Sequence, residues 1–243
     1  MLLARSEIDL SRVRRVARRK GAEAEYLRVD LSRRDQVEHA VDEIEYGDGP
    51  VDGLVLNAGT ANGVPFLESD AEGVDYEFQV NFFAPTMFLR RIVRGMVERD
   101  RGSVAVVGSL TSMVPFPGNA SYSASKGALQ SLIRSLRLEL SETGVHVGLV
   151  LPGFTRTSLT SRLSSMLPTM EPEEVARAVE RCLLERRRIV VPGLVNNLAY
   201  RFFAALPEIS DALVEWLPAL VPKPREESEP ESEARLVVRE RAG

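Results

Sequence analysis

The stretch Val145-His146-Val147-Gly148-Leu149-Val150-Leu151 decides the fold. It is nearly all apolar, as a strand covered on both faces should be. Four more short apolar runs have strand character: 25–29, 51–56, 103–107 and 189–191. Between them lie longer amphipathic stretches at 32–45, 74–97 and 122–141. Strands alternating with helices of crossover length predict an α/β fold, a Rossmann-like doubly wound parallel sheet. Residues 1–4 read as the tail of a strand, and a helix follows from Ser6 to Lys20. Ser6 is the expected N-cap, with Asp9 at the third position of a capping box.

Bulk properties narrow the function. The chain has 243 residues, 44% of them hydrophobic and 27% charged, and a net charge of −4. That is an ordinary globular mixture, far from the basic balance of a nucleic-acid binder. The basic run Arg12, Arg14, Arg15, Arg18, Arg19 and Lys20 is therefore read as a solvated helix face. One cysteine, Cys182, allows no intrachain disulfide, and a reducing cytoplasm is the expected home. No metal is expected, because no ligand spacing is present. No stretch approaches the ~18 apolar residues of a membrane span. Near the C-terminus, 225–233 is acidic and contains proline and serine, a disordered composition.

The chemistry concentrates in the middle of the chain. Tyr122 and Lys126 stand four apart at the start of a helix and so share a face. A cation beside a phenol favours phenolate and makes tyrosine a usable acid/base. Ser109 lies thirteen residues before Tyr122, just past an apolar strand, where open α/β sheets place ligands. Asn57-Ala58-Gly59 follows the strand at 51–56, and Gly59 permits a close approach of backbone to ligand. Asn81 falls inside a helix, a poor place for Asn, which suggests a buried or functional role. Asp30 ends another strand; it could accept a hydrogen bond from an adenine amino group or cap the next helix in competition with Ser32.

Together these residues resemble the classical short-chain dehydrogenase/reductase family over residues 1–193. Asn57-Ala58-Gly59 is similar to its N-A-G motif, which supports the central sheet and the adenosine side. Asn81, Ser109, Tyr122 and Lys126 match its catalytic set. Pro152-Gly153 followed by Thr155 matches its P-G-x-x-T segment, which meets the nicotinamide carboxamide. Asp30 matches the strand-end Asp that contacts adenine. The resemblance implies hydride transfer between nicotinamide and a carbonyl or alcohol carbon. In it Tyr122 is the general acid or base. Lys126 lowers the Tyr122 pKa and holds the nicotinamide ribose. Ser109 polarises the substrate oxygen, and Asn81 completes a water chain. Where NAD-preferring members carry an acidic residue at the end of the second strand, this chain has Ala4 and Arg5, which suits a 2′-phosphate; NADP(H) is expected over NAD(H).

The family opens with a strand, a T-G-x-x-x-G-x-G turn and a helix, and this chain lacks that unit. A gap with unpaired edges on both sides is expected in the sheet. The preferred account is a start lying upstream of Met1; the alternative is a non-catalytic nucleotide-sensing or scaffold relative. Serine-hydrolase chemistry is weakly supported, since there is no G-x-S-x-G and His39 and His146 have no evident pairing.

The resemblance makes 157–170 a lid over the substrate. Leu159, Leu163, Met166 and Leu167 give it an apolar face, which fits either a lipophilic substrate or plain packing. Residues 194–222 form an apolar helical extension, with Leu194, Leu198, Phe202 and Leu206 at helical spacing and Trp216 beyond them. It extends the lid or a dimer contact, lies on a membrane surface, or packs on the domain. Residues 223–243 read as a charged tail. The resemblance also implies a homodimer or homotetramer through the helices holding Asn81 and Tyr122.

Overall fold

A computed structural model describes residues 1–47, 49–114, 117–156, 169–206 and 209. Six strands and seven α-helices lie in these residues. The chain opens with β1 (Leu2–Ala4), α1 (Glu7–Arg19), β2 (Tyr26–Arg28), α2 (Arg34–Glu45) and β3 (Gly53–Leu56). It continues through α3 (Ala71–Phe78), a π-helical turn (Gln79–Phe83) and α4 (Ala84–Glu98). Then come β4 (Gly102–Val107), α5 (Ala120–Glu139), β5 (Val145–Val150), α6 (Pro172–Leu184), β6 (Ile189–Val190) and α7 (Leu194–Ala205). The doubly wound α/β expectation holds, with every pairing parallel.

The sheet is in two pieces. β1 pairs with β2, and β3, β4, β5 and β6 follow in that order in a separate sheet. The expected interruption therefore falls between β1 and β3. One layer spans it: Leu3, Leu27, Leu54 and Leu56 from both sheets pack on the cluster of Val37, Ala40, Val41, Ala84 and Phe88 from α2 and α4. β4 and β5 carry the main core. Every residue of β5 is buried, and Val104, Val106, Val147 and Leu149 lie against Ile92, Met96, Leu129 and Ile133 of α4 and α5. α6 covers the other face of β4 and β5 through Val175, Ala178 and Cys182.

Local signals explain the helix ends. Ser6 caps α1, its hydroxyl accepting from the Asp9 N–H at 3.3 Å. α6 starts at Pro172, where the missing N–H costs nothing, and Glu174 accepts from the Glu171 N–H at 3.2 Å. The stretch 74–97, read as one helix, is three segments. The π-helical turn that divides it carries Asn81, which has no exposed surface. At α2 neither Asp30 nor Ser32 is the cap; Arg33 occupies that position, because Asp30 instead turns back onto Ser32.

The Leu194, Leu198 and Phe202 face of α7 is exposed, at 77%, 59% and 45%, and so does not pack on the rest of the described residues. The expected lid residues Leu159, Leu163, Met166 and Leu167, Trp216 and the 223–243 tail lie outside the described residues. Among the described residues no helix is long and apolar enough to cross a membrane.

Ile133 sits at the centre of the main core with no exposed surface. Urea unfolding of Ile133→Ala should show a loss of about 2 to 5 kcal/mol. Ile8→Ala, at a position 82% exposed, should change stability by less than about 0.5 kcal/mol.

Candidate active site

The carboxyl ends of β1, β3, β4 and β5 open onto one cavity of about 870 Å³. Its lining includes Arg5, Asp30, Asn57, Ala58, Gly59, Ser109, Tyr122, Lys126, Pro152, Gly153 and Thr155. Every predicted site residue except Asn81 thus faces the same space. Asn81 lies behind the wall.

Asn81 is a joint between three elements. Its Oδ1 accepts from the Thr60 N–H at 2.9 Å, and its Nδ2 donates to the Thr60 carbonyl at 2.8 Å. The same amide nitrogen donates to the Ser125 hydroxyl at 3.0 Å. A side chain of full donor and acceptor capacity is the only economical way to bury that spot. Gly59 lies so close that a Cβ there would meet the Lys126 Nζ at 3.2 Å and the Asn81 Oδ1 at 3.3 Å. Its role is close packing against these two side chains.

Lys126 is buried, and its ammonium donates to the Val107 carbonyl at 3.1 Å. Burial pushes its pKa down to about 8, so the ammonium is mostly charged at neutral pH and loses its proton above that value. Tyr122 departs from expectation. Its phenol is pushed above the ordinary value, first by burial; a hydrogen bond with Ser109 works in the opposite direction, and the Glu77 charge adds to the rise. In this site desolvation is the largest effect, and the expected lowering by Lys126 is not among the causes of the shift. Ser109 itself accepts from the Thr111 N–H (3.2 Å) and hydroxyl (2.9 Å), which fixes it beside the phenol.

At the other end of the cavity, the Arg5 guanidinium donates to the Tyr76 hydroxyl at 3.3 Å, and Arg28 holds the Arg5 carbonyl at 3.2 Å. Asp30 accepts from both the Ser32 hydroxyl (2.7 Å) and its N–H (3.0 Å). These two bonds, then the charges of Arg5 and Arg33, hold its carboxyl below the usual range, against some opposing effect of burial. Asn57 and Ala58 are exposed on the cavity wall rather than buttressing the sheet from within. Behind Pro152-Gly153, Asn196 of α7 packs so tightly that a Cβ on Gly153 would meet its amide at 2.8 Å. Asn196 is anchored to the Pro192 carbonyl at 3.1 Å.

Sequence reading missed Thr60, Tyr76, Glu77, Ser121, Ser125 and Asn196. Only the serines carried a signal, at spacings of one and three from Tyr122. The residues present fit a nicotinamide dinucleotide at its two ends: a cation and a carboxylate at one, a hydroxyl–phenol–ammonium set at the other. The volume lies within the ~300–1,000 Å³ of ordinary ligand sites. Neither histidine suits a serine hydrolase: His39 is exposed beside Glu43, and His146 sits at the amino end of β5, away from Ser109. No cluster of candidate metal ligands occurs among the described residues.

Known proteins give the same picture. A family model described as short chain dehydrogenase matches residues 1–168. Dehydrogenase/reductase SDR family member 7B of Xenopus tropicalis is 32% identical over 193 residues, covering 74% of this chain and 62% of that protein. Carbonyl reductase [NADPH] 2 of Sus scrofa is 34% identical over 173 residues, covering 71% and 67%. A solved short-chain dehydrogenase from Sphingobium yanoikuyae in complex with NADPH has a TM-score of 0.75 and 28% identity, covering 95% and 88%. The chain spans about three fifths of the length of the first vertebrate relatives it matches.

Asn81→Leu removes three hydrogen bonds and leaves the Thr60 backbone without its partner. Chemical denaturation should show a loss of about 2 to 4 kcal/mol.

Proposed function

The chain belongs to the short-chain dehydrogenase/reductase family, and from that premise we propose that it is an NADP(H)-dependent oxidoreductase acting on a carbonyl or alcohol. One observation carries this reading: a single cavity joins Arg5 and Asp30 to Ser109, Tyr122 and Lys126. The bound nicotinamide would supply or accept the hydride. The chain's own groups handle position and proton. Ser109 orients the substrate oxygen. Tyr122 gives it a proton in reduction and takes one in oxidation. Lys126, through its charge, offsets part of the cost of forming phenolate in a buried site and would hold the nicotinamide ribose. Gly153 and Thr155 would meet the carboxamide, with Pro152 fixing their approach. Asn81 orders the proton path behind Tyr122.

NADP(H) is preferred over NAD(H) on the strength of Arg5, a guanidinium at the nucleotide end of the cavity, with Arg28 and Arg33 near it. Guanidinium is the natural fork for a 2′-phosphate. The relative named for NADPH and the similar structure solved with NADPH support this choice.

We assign residues 1–193 to the catalytic unit and, by composition, 194–222 to an apolar extension. The exposed face of α7, with the Phe202–Phe203 edge-to-face pair, supports peripheral membrane contact or closure over a lipophilic substrate. A homodimer or homotetramer forms through the helices holding Asn81 and Tyr122, where Phe83 and Leu138 are exposed. The lone Cys182 is buried, its thiol pushed up to about 11 by burial, and a chain with no second cysteine to pair with it suits a reducing cytoplasm.

Tyr122→Phe should lower turnover of carbonyl substrates by about 10² to 10⁴-fold. Circular dichroism and cofactor affinity should stay as in the parent. Turnover unchanged by this variant would sink the acid/base role, and no turnover in the parent would leave a nucleotide-sensing protein.

Fluorescence titration should show tighter binding of NADPH than NADH. Arg5→Ala should weaken NADPH by about tenfold and NADH by less than about twofold. An equal loss for both nucleotides contradicts a 2′-phosphate contact.

A further inference from the structure

A second buried polar joint lies beside the Asn81 one. Glu77, in α3, has 1% of its surface exposed. One carboxylate oxygen accepts from the Asn62 backbone N–H and the other from the Ser121 hydroxyl. The two joints run in parallel: Glu77 and Asn81 from the α3 side reach Asn62 and Thr60 in the segment after β3, and Ser121 and Ser125 in α5. Tyr122 sits between the two serine rungs.

A buried carboxylate is costly unless hydrogen-bonded, and neutral donors leave its charge uncancelled. Both Glu77 partners are neutral, and among the described residues no ion pair includes it. A glutamine could meet both partners, its oxygen accepting from the Asn62 N–H and its nitrogen donating to the Ser121 hydroxyl, with no buried charge, so the charge itself calls for a role.

We propose that Glu77 is a positioning residue for Tyr122: it clamps the segment after β3 to the first turn of α5 and keeps a negative charge close to the phenol. The proposal rests on the acid/base reading of Tyr122. A nearby negative charge disfavours phenolate, which keeps the proton on Tyr122 until it is needed. The direction of the Tyr122 shift agrees, with Glu77 among its causes after burial. Ser109 hydrogen-bonds the phenol and is itself held by Thr111. Among the described residues, the other titratable side chains lining the cavity with Tyr122 are Lys126 on its own helix and Arg5, Asp30 and Tyr76.

Glu77→Gln keeps the shape and removes the charge. Ser121→Ala removes a donor and leaves the charge less screened. Phenolate absorbance after a rapid pH jump reads Tyr122 once the same jump on Tyr122→Phe backgrounds is subtracted, and it needs no turnover. Phenolate should appear at lower pH in Glu77→Gln and at higher pH in Ser121→Ala. The matching limb of the kcat/KM profile should move the same way. For Glu77→Gln, kcat should fall about tenfold with cofactor affinity within about twofold. A purely structural role would move stability and leave the two onsets together. Unchanged onsets in both folded variants, or shifts of the same sign, overturn the proposal. Should Glu77→Gln not fold, the Ser121→Ala onset decides alone: a rise supports the clamp and its charge, and no rise overturns it. If the two variants show the opposed shifts but the parent has no turnover with carbonyl substrates, the oxidoreductase reading fails and the Glu77 coupling stands.

Discussion

The primary amide of Asn81 is the bond on which the rest of the site depends. It satisfies both the N–H and the carbonyl of Thr60 and holds Ser125 at the same time. To reach them the helix must loosen into a π turn at Gln79–Phe83. That turn spends regular helix geometry to aim one side chain inward. Once Thr60 is fixed, Gly59 can press against Lys126, and Lys126 can reach Val107 across the end of β4. The position of the ammonium is therefore inherited from an amide more than forty residues upstream of it in sequence.

The electrostatics of the pair follow from enclosure more than from proximity. Burial moves the Lys126 and Tyr122 pKa values in opposite directions, each toward its neutral form. The site withholds charge from both groups and relies on hydrogen bonds to restore it where needed: the Val107 carbonyl for the ammonium, Ser109 for the phenol. Such a site gains most from a ligand that brings its own polar groups into the cavity, because these replace the water that enclosure removed.

Much of this was legible from sequence where a residue's role is set by its neighbours along the chain. The strand at 145–151 announced burial on both faces, and Tyr122 with Lys126 announced a shared helix face. Asn81 was conspicuous because Asn is out of place in a regular helix. The break of 74–97 was not legible, because a π turn is selected by distant bonds and not by local propensity. Glu77 was invisible for the same reason: its contact with Ser121 spans forty-four positions, and it is ordinary in its own helix. The direction of the Tyr122 shift was misread because spacing reveals a nearby cation but not how much water has been removed. Leu194, Leu198 and Phe202 showed their common face, yet spacing alone does not say whether a face meets protein or stays open.

The interruption between β1 and β3 has a consequence for cooperativity. No backbone ladder crosses it among the described residues, so the unit β1–α1–β2 is joined to the larger sheet through apolar side chains on α2 and α4 and through side-chain hydrogen bonds such as Arg5 to Tyr76. Side-chain contacts without a shared ladder allow one part to open while the other stays folded. The smaller part carries Arg5 and Asp30, and the larger carries Ser109, Tyr122 and Lys126. A molecule that touches both ends of the cavity would bridge two folding units, and its binding energy would appear as coupling between them. In that sense the ligand takes the place of a strand: it completes the mechanical continuity of the domain as well as its chemistry.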